Sequence, residues 1–249
     1  MIKIGVADYG MYAWYGGCFD YDERIRSVGA IGYDGLEKLY PTSAEDAIIK
    51  AANLKGMDMD FATCNAATPE LSIKWSAALG AAYVWNQVKG YTFEAYLRQT
   101  REMTKAAKKF GVKIAVHNHL GTMAESQEQV ETILRECPDT YLLFDTGHLA
   151  VAGGDVCYIA ERYYDRIVAY HLKEWKKSNT PEAEKWQERG HFCGLGQGDF
   201  PIENEFVFKN AVRKGFDGWV HIEHDTHEQD PLVDLKESFD VLQKWRKEI

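Results

Sequence analysis

Short apolar runs alternate with longer amphipathic stretches from one end of this chain to the other. The runs are rich in β-branched and aromatic residues and are bounded by turn-forming residues, which is typical of buried strands. The predicted strands are residues 3–8, 35–40, 59–65, 82–87, 113–118, 141–145, 167–173 and 218–224. The helices predicted between them include residues 44–55, 70–79, 93–110 and 127–135.

Residues that start and stop helices fall between these runs. Gly80, Gly111 and Gly215 stand where helices should end ahead of the next strand, and Ser126 with Gln129 resembles a capping box. Eight strand-plus-helix units predict a single-domain α/β fold, the (β/α)8 TIM barrel, over residues 1–249. A doubly wound open sheet is the alternative. No low-complexity run offers a linker between two domains.

Residues 174–204 interrupt the alternation of strands and helices. The segment begins polar and becomes glycine-rich at residues 190–198. We expect a long loop that covers the substrate, because it follows the seventh strand on the face where barrel active sites lie. Residues 194–198 lack the preceding strand and following helix of a dinucleotide-binding turn, so no nicotinamide or flavin cofactor is predicted.

Composition narrows the class of protein. The formal net charge of −9 disfavours nucleic acid as the main partner, and the five cysteines are scattered without a CxxC pair. The first residues lack the pattern of a signal peptide, and no apolar run approaches the roughly 18 residues of a membrane span. We therefore expect a cytoplasmic enzyme acting on a small molecule, with no membrane partner; a homo-oligomer is compatible with the sequence.

Four predicted strands end in a residue that can bind a metal. His117, Asp145, His171 and Glu223 offer two imidazoles and two carboxylates, and the carboxyl ends of barrel strands lie on one face. This donor set predicts one divalent metal, with Mn²⁺ or Co²⁺ preferred and Zn²⁺, Fe²⁺ or Mg²⁺ as alternatives. His119 competes with His117 for the metal, because alternate side chains of a strand point the same way.

Other side chains near these strand ends are candidates for moving protons or binding substrate. Glu223, His119 and His148 are candidate bases. Lys173 either stabilises negative charge on the substrate or is a surface lysine at a strand end. Polar and aromatic residues expected near the barrel mouth suit a hydroxylated ring. The predicted substrate-binding residues are Glu37, Asn118, Trp14 and His191.

Several of these segments resemble the xylose-isomerase-like barrel superfamily and, within it, the inosose dehydratases. Residues 117–122 match an HxH-G-T strand end, and residues 145–155 match a D-T-G-H strand end with the A-G-G-D turn that follows it. Residues 166–174 resemble an H-x-K-D strand end, with Glu174 in place of Asp. Residues 32–37 and 218–223 resemble the second and last strands. The resemblance implies that Glu37 faces the substrate and that Glu223 binds the metal.

The resemblance implies a metal-dependent reaction on a keto-sugar or keto-cyclitol through an enediolate. Isomerases and epimerases of the superfamily usually have a glutamate where this chain has His117, and they use two metal-bound glutamates as an acid–base pair. Because this chain keeps only Glu223 of that pair, we expect dehydration of an inosose-like substrate. The alternatives are a ketose or inosose isomerase or epimerase and, from another class, a non-catalytic sugar-binding barrel. An abasic-site endonuclease is disfavoured, since the predicted third and fourth strands contain no histidine.

Overall fold

The computed structural model describes residues 1–7, 20–225 and 227–249. Within these residues, eight parallel strands alternate with helices, and two further strands form a hairpin after the seventh. The strands are β1 (Lys3–Ala7), β2 (Gly35–Leu39), β3 (Asp60–Cys64), β4 (Val84–Trp85), β5 (Ile114–His117), β6 (Tyr141–Asp145), β7 (Ile167–Leu172), β8 (Glu174–Lys177), β9 (Gly190–Cys193) and β10 (Trp219–Glu223).

The eight parallel strands form a barrel. Their hydrogen-bonded order is β3-β2-β1-β10-β7-β6-β5-β4, so neighbours in the sheet are also neighbours in the chain, and the last strand pairs with the first. The two outer strands of that order, β3 and β4, meet through a parallel bridge between Thr63 and Tyr83. The TIM barrel prediction is therefore confirmed. The doubly wound alternative is wrong, because that fold reverses its strand order and keeps two open edges.

Helices cover the outside of the barrel. In the described part of the chain, none of them has the length and apolar composition needed to cross a membrane. The helices are α1 (Tyr21–Ile31), α2 (Ala44–Gly56), α3 (Pro69–Leu79), α4 (Phe93–Lys108), α5 (Gln127–Glu136), α6 (Thr146–Val151), α7 (Val156–Arg162), α8 (Trp186–Arg189), α9 (Asn204–Arg213) and α10 (Pro231–Lys247), with a 3-10 turn at Tyr164–Arg166.

The capping signals read from the sequence lie where they were predicted. Ser126 accepts from the backbone of Gln129, and the Gln129 side chain accepts from the backbone of Ser126, which completes the capping box of α5. Gly80 follows α3 in the left-handed conformation, with φ 76°. The boundaries of the predicted elements differ by a few residues. The largest change is at predicted strand 82–87, of which only Val84–Trp85 is strand.

The main core lies between the barrel and its helices, where side chains of β1, β2, β3, β6, β7 and β10 pack on α1, α2, α5, α7, α9 and α10. The barrel interior is also filled, so the open space for a site lies at the strand ends. Gly35 fits the wall because a Cβ there would lie 2.0 Å from the backbone oxygen of Asp60. The interior is filled by Ala62, Tyr83, Ala115, Leu143, Ala169 and Trp219.

The predicted long loop over residues 174–204 contains regular structure over part of its length. β8 and β9 pair as an antiparallel hairpin, and α8 lies between them. Trp175 and Phe192 are buried against Leu120, and Trp186 packs beside them. These aromatic anchors stabilise the hairpin, although the surrounding residues are polar and glycine-rich. The hairpin follows β7 and therefore stands beside the carboxyl ends of the barrel strands.

Candidate metal centre

Four strand ends converge at the carboxyl face of the barrel. His117 ends β5, Asp145 ends β6, His171 lies in β7 and Glu223 ends β10. One ligand atom from each residue lies within 4.8 Å of the corresponding atoms of the other three. His117 Nε2 is 3.3 Å from Asp145 Oδ2, and His171 Nδ1 is 2.8 Å from Glu223 Oε2. The parallel topology thus brings together side chains that are up to 106 residues apart in sequence.

This group fits a divalent metal. All four side chains are buried or nearly so, and Asp145 and His171 have no exposed surface. Burial lowers the pKa of His117 to about 4, so its imidazole is neutral at physiological pH and able to donate a lone pair. Two imidazole nitrogens and two carboxylate oxygens suit Zn²⁺, Mn²⁺, Fe²⁺ or Co²⁺. The structure therefore supplies the donors that the sequence predicted for a metal.

Lys173 is fully buried beside this group. Its Nζ lies 2.6 Å from Glu223 Oε2, 3.0 Å from Asp145 Oδ2 and 3.3 Å from Asp225 Oδ2. Burial alone would lower the pKa of Lys173, but these carboxylates hold that pKa above its ordinary value. The interpretation of Lys173 as a surface lysine is wrong, because the ammonium points into the carboxylates of the centre.

The carboxylates of the centre are ionised. Burial would raise the pKa of Asp145 and of Glu223, but the Lys173 ammonium and neighbouring histidines hold both well below their ordinary values. The two carboxylate oxygens of Asp145 contact different groups. Oδ1 accepts the backbone N–H of His148 at 2.8 Å and so caps α6, whereas Oδ2 faces His117 and Lys173.

Asn118 holds the end of β6 in place. Its amide nitrogen donates to the Asp145 carbonyl at 2.8 Å, and its amide oxygen accepts from the Asp145 N–H at 2.8 Å. The side chain is fully buried, so both of its polar ends are engaged with backbone. Its predicted contact with substrate hydroxyls stays a prediction.

His119 and His148 lie together next to the four-residue group. Their ring centroids are 3.6 Å apart, and His119 lines the cavity at the barrel mouth. His148 is fully buried, and its Nε2 has no hydrogen-bond partner among the described residues. Burial holds the pKa of His148 well below its ordinary value. Of the two competitors for the metal, His117 is the one whose ring belongs to the four-residue group.

A cavity of about 530 Å³ opens above these residues. A larger cavity, of about 640 Å³, lies along α3 and α4 and is lined by none of the four candidate ligands. The sequence analysis did not identify several of the residues around the mouth. Two of them are close in sequence to predicted site residues: Lys38 follows Glu37, and Asp225 lies two residues after Glu223. The cavity over the centre is lined by Lys38, Trp85, His117, His119, Trp186, Gln187, Gly190, His191, Phe192, Glu223 and Asp225.

The predicted substrate-binding residues occupy different positions. His191 lies on β9 at the cavity, with its side chain 35% exposed and its Nε2 3.2 Å from Glu228. Glu37 is fully buried below the centre, where its Oε1 accepts from Tyr83. Trp14 lies outside the described residues. Their roles in substrate binding stay predictions.

Known proteins resemble this chain at the level of sequence. An inosose dehydratase of Mesomycoplasma hyopneumoniae is 26% identical over 97% of this chain and 95% of its own length. The rhizopine catabolism protein MocC of Rhizobium meliloti is 31% identical over 60% of this chain, and the match spans 49% of that protein. An inosose dehydratase of Clostridium perfringens is 29% identical over 61% of this chain and 51% of its own length. This chain thus matches about half the length of the latter two.

Solved structures share the fold. The probable 3-DHS dehydratase AsbF of Bacillus anthracis superposes with a TM-score of 0.74 at 13% identity, covering 97% of this chain and 98% of its own. An L-ribulose 3-epimerase superposes with a TM-score of 0.74 at 14% identity, covering 100% of this chain and 97% of its own. The profile of the family described as xylose isomerase-like TIM barrel matches residues 28–245. The chain belongs to this xylose isomerase-like TIM barrel family.

Proposed function

We propose that this protein is a divalent-metal-dependent hydro-lyase that dehydrates an inosose-like keto-cyclitol or keto-sugar. The observation that carries the proposal is the buried group of His117, Asp145, His171 and Glu223 next to the Lys173 ammonium. The relatives named inosose dehydratase, one of them matched along nearly the whole chain, support the substrate class. A cavity of about 530 Å³ has room for a six-carbon ring.

The four-residue group would hold the metal, with Mn²⁺ or Co²⁺ preferred and Zn²⁺, Fe²⁺ or Mg²⁺ as alternatives. When bound, such an ion supplies Lewis acidity toward a substrate carbonyl and its neighbouring hydroxyl. The remaining tasks fall to side chains. They must take a proton from the carbon next to the carbonyl, stabilise the negative charge that results and protonate the departing hydroxyl.

His119 is the candidate base with the best access, because its ring lines the cavity and its Nδ1 lies 2.6 Å from the Leu120 carbonyl oxygen, which leaves Nε2 as the basic nitrogen. When His119 accepts the α-proton, the C–H electron pair moves toward the carbonyl oxygen and gives an enediolate. The Lys173 ammonium, buried behind Glu223 at 2.6 Å, stabilises this negative charge through its field and not by direct contact. The electron pair then returns to expel the β-hydroxyl, which leaves as water after protonation by an imidazolium. Glu223 is a weaker base, since Lys173 and His171 hold its pKa low although burial opposes them.

One observation favours an isomerase or epimerase as the second candidate. Asp225 lines the same cavity as Glu223, and burial raises its pKa. A second carboxyl group beside Glu223 could return the proton to the substrate instead of eliminating water. The two candidates therefore differ in whether the hydroxyl on the β-carbon is lost.

Proton NMR of the metal-loaded protein in D₂O separates these functions. With an inosose, a dehydratase gives a dione product that is one water lighter by mass spectrometry. An epimerase or isomerase gives deuterium at an α-carbon in a product of unchanged composition. The variant Asp145→Asn, which loses one ligand charge without changing size, should lose turnover and metal binding. Binding of the sugar without any reaction in the metal-loaded protein would refute both and leave a sugar-binding barrel.

A further inference from the structure

The two ring nitrogens of His171 face different carboxylates. Nδ1 faces the metal centre, at 2.8 Å from Glu223 Oε2 and 3.6 Å from Asp145 Oδ2. Nε2 faces the opposite way, at 3.0 Å from Glu37 Oε1. A neutral imidazole carries one proton, so the nitrogen that holds it determines which nitrogen can donate a lone pair to a metal.

Glu37 is placed as a fixed acceptor under His171. Tyr83 Oη and Trp85 Nε1 each donate to Glu37 Oε1 at 2.8 Å, and both donors lie at the fourth strand of the barrel. The Glu37 side chain is 1% exposed. It is absent from the residues that line the cavity, so a substrate in that cavity meets His117 and Glu223 instead. The His171 contact is short but bent, since its N–H is not directed at the oxygen in hydrogen-bonding geometry.

We propose that Glu37 is a positioning residue for the metal centre: its negative charge, 3.0 Å from His171 Nε2, keeps the imidazole proton on that nitrogen and thereby leaves Nδ1 free to bind the metal. This inference rests on the proposed metal centre and assigns Glu37 a task other than contact with substrate. A carboxylate behind a ligating histidine also fixes the orientation of its ring, and loss of such a partner typically lowers metal affinity about 10- to 100-fold. Tyr83 and Trp85 in turn hold the carboxylate of Glu37.

The substitution Glu37→Gln tests this role with little change in size. Tyr83, Trp85 and His171 all face the same oxygen of Glu37, so the glutamine oxygen keeps these contacts and the substitution removes only the negative charge. Without that charge 3.0 Å away, the imidazole proton is held less firmly on Nε2, and Nδ1, the nitrogen that faces the metal, is less available as a lone-pair donor. We expect Zn²⁺ to bind about 10- to 100-fold more weakly in isothermal titration calorimetry, with one ion per chain in both proteins.

A matched control exists elsewhere in the fold. His227, on the loop before α10, and Asp234, in α10, form a second buried histidine–carboxylate pair. His227 Nδ1 lies 2.7 Å from Asp234 Oδ2. Asp234→Asn makes the same change of carboxylate to amide in a group that, with His224 and His227, could itself hold an ion, so we expect it to leave the Zn²⁺ affinity of the four-residue centre unchanged. Tyr83→Phe removes one of the donors to Glu37 and should weaken binding by less than Glu37→Gln.

The tautomer of His171 can be read directly. Long-range ¹H–¹⁵N spectra of the Zn²⁺-loaded protein, labelled at histidine nitrogens, should show a His171 that is protonated at Nε2.

Equal Zn²⁺ affinity in wild type and Glu37→Gln would overturn the positioning role, as would an equal loss in Asp234→Asn. A fall from two ions to one in Glu37→Gln would also overturn it, by making Glu37 a ligand together with His171 and His221, which form a second buried group. Absence of Zn²⁺ binding in wild type would instead refute the proposed metal centre.

Discussion

Replacing Lys173 with methionine tests how the charges of the centre are balanced. The ammonium lies 2.6 Å from Glu223 and 3.0 Å from Asp145, and none of these three side chains has more than 8% of its surface exposed. Methionine has a similar length but no charge, so the variant leaves two carboxylates buried without their cation. Breaking a buried ion pair by removing one partner costs about 3–5 kcal/mol. For a chain of this size, that loss lowers Tm by roughly 10 °C.

A divalent cation supplies the positive charge that the variant lacks. We therefore expect Mn²⁺ or Zn²⁺ to raise the Tm of Lys173→Met by more than it raises the Tm of wild type. Differential scanning calorimetry with EDTA and with added metal measures both effects. Lys176→Met is the matched control, since Lys176 pairs with Glu228 at 2.8 Å on the surface, and its loss should leave Tm unchanged. Equal Tm values for the two metal-free variants would refute the argument that Lys173 balances buried charge.

Three further changes have defined outcomes. Asn118→Ala removes both hydrogen bonds to the Asp145 backbone and should lower the free energy of unfolding in urea by about 2–4 kcal/mol; an unchanged midpoint would contradict this. Trp186→Ala opens the cavity wall and should raise KM for a cyclic substrate while Zn²⁺ affinity, measured by calorimetry, stays constant. Although burial opposes them, hydrogen bonds from two glutamines and His227 lower the pKa of Asp234 below 3.8. Its stabilisation is present above pH 3.8 and is lost as pH falls through the lowered value, so the difference in unfolding free energy between wild type and Asp234→Asn should shrink in acid.

The barrel could be predicted because its strands are buried on both faces and therefore read as continuous apolar runs. Each run ends at a turn, and the regular alternation with helices leaves few topologies. The hairpin of β8 and β9 could not be predicted in the same way. Its two strands are separated by polar residues, and its stability comes from Trp175 and Phe192 packing on Leu120, a contact between distant parts of the chain.

The ligand group could be predicted because parallel strands bring their carboxyl ends to one face whatever the loops do. The burial of each side chain could not be predicted from the sequence. Lys173 stands one residue past the end of β7 and Glu37 two residues before the end of β2, positions that are compatible with surface or interior. Their burial depends on how neighbouring strands and the hairpin close over the centre. The choice between His117 and His119 likewise required the ring directions, since both residues alternate onto the same face of the strand.

The histidine at position 117 also bears on the choice between elimination and epimerisation. With its pKa lowered to about 4, His117 is neutral, so Asp145 and Glu223 carry the negative charge among the four donors and Lys173 offsets one of them. A bound divalent cation would make this set net positive, whereas a glutamate at position 117 would make it neutral. A positive centre stabilises an anionic enediolate more than a neutral ketone. It therefore lowers the activation free energy for removal of the α-proton. Elimination and epimerisation share that enediolate, so the charge favours both. They differ in the second carboxylate that inversion of a carbon centre needs: His117 supplies none, and Asp225, which lines the cavity with Glu223, is the carboxyl group left to serve in its place.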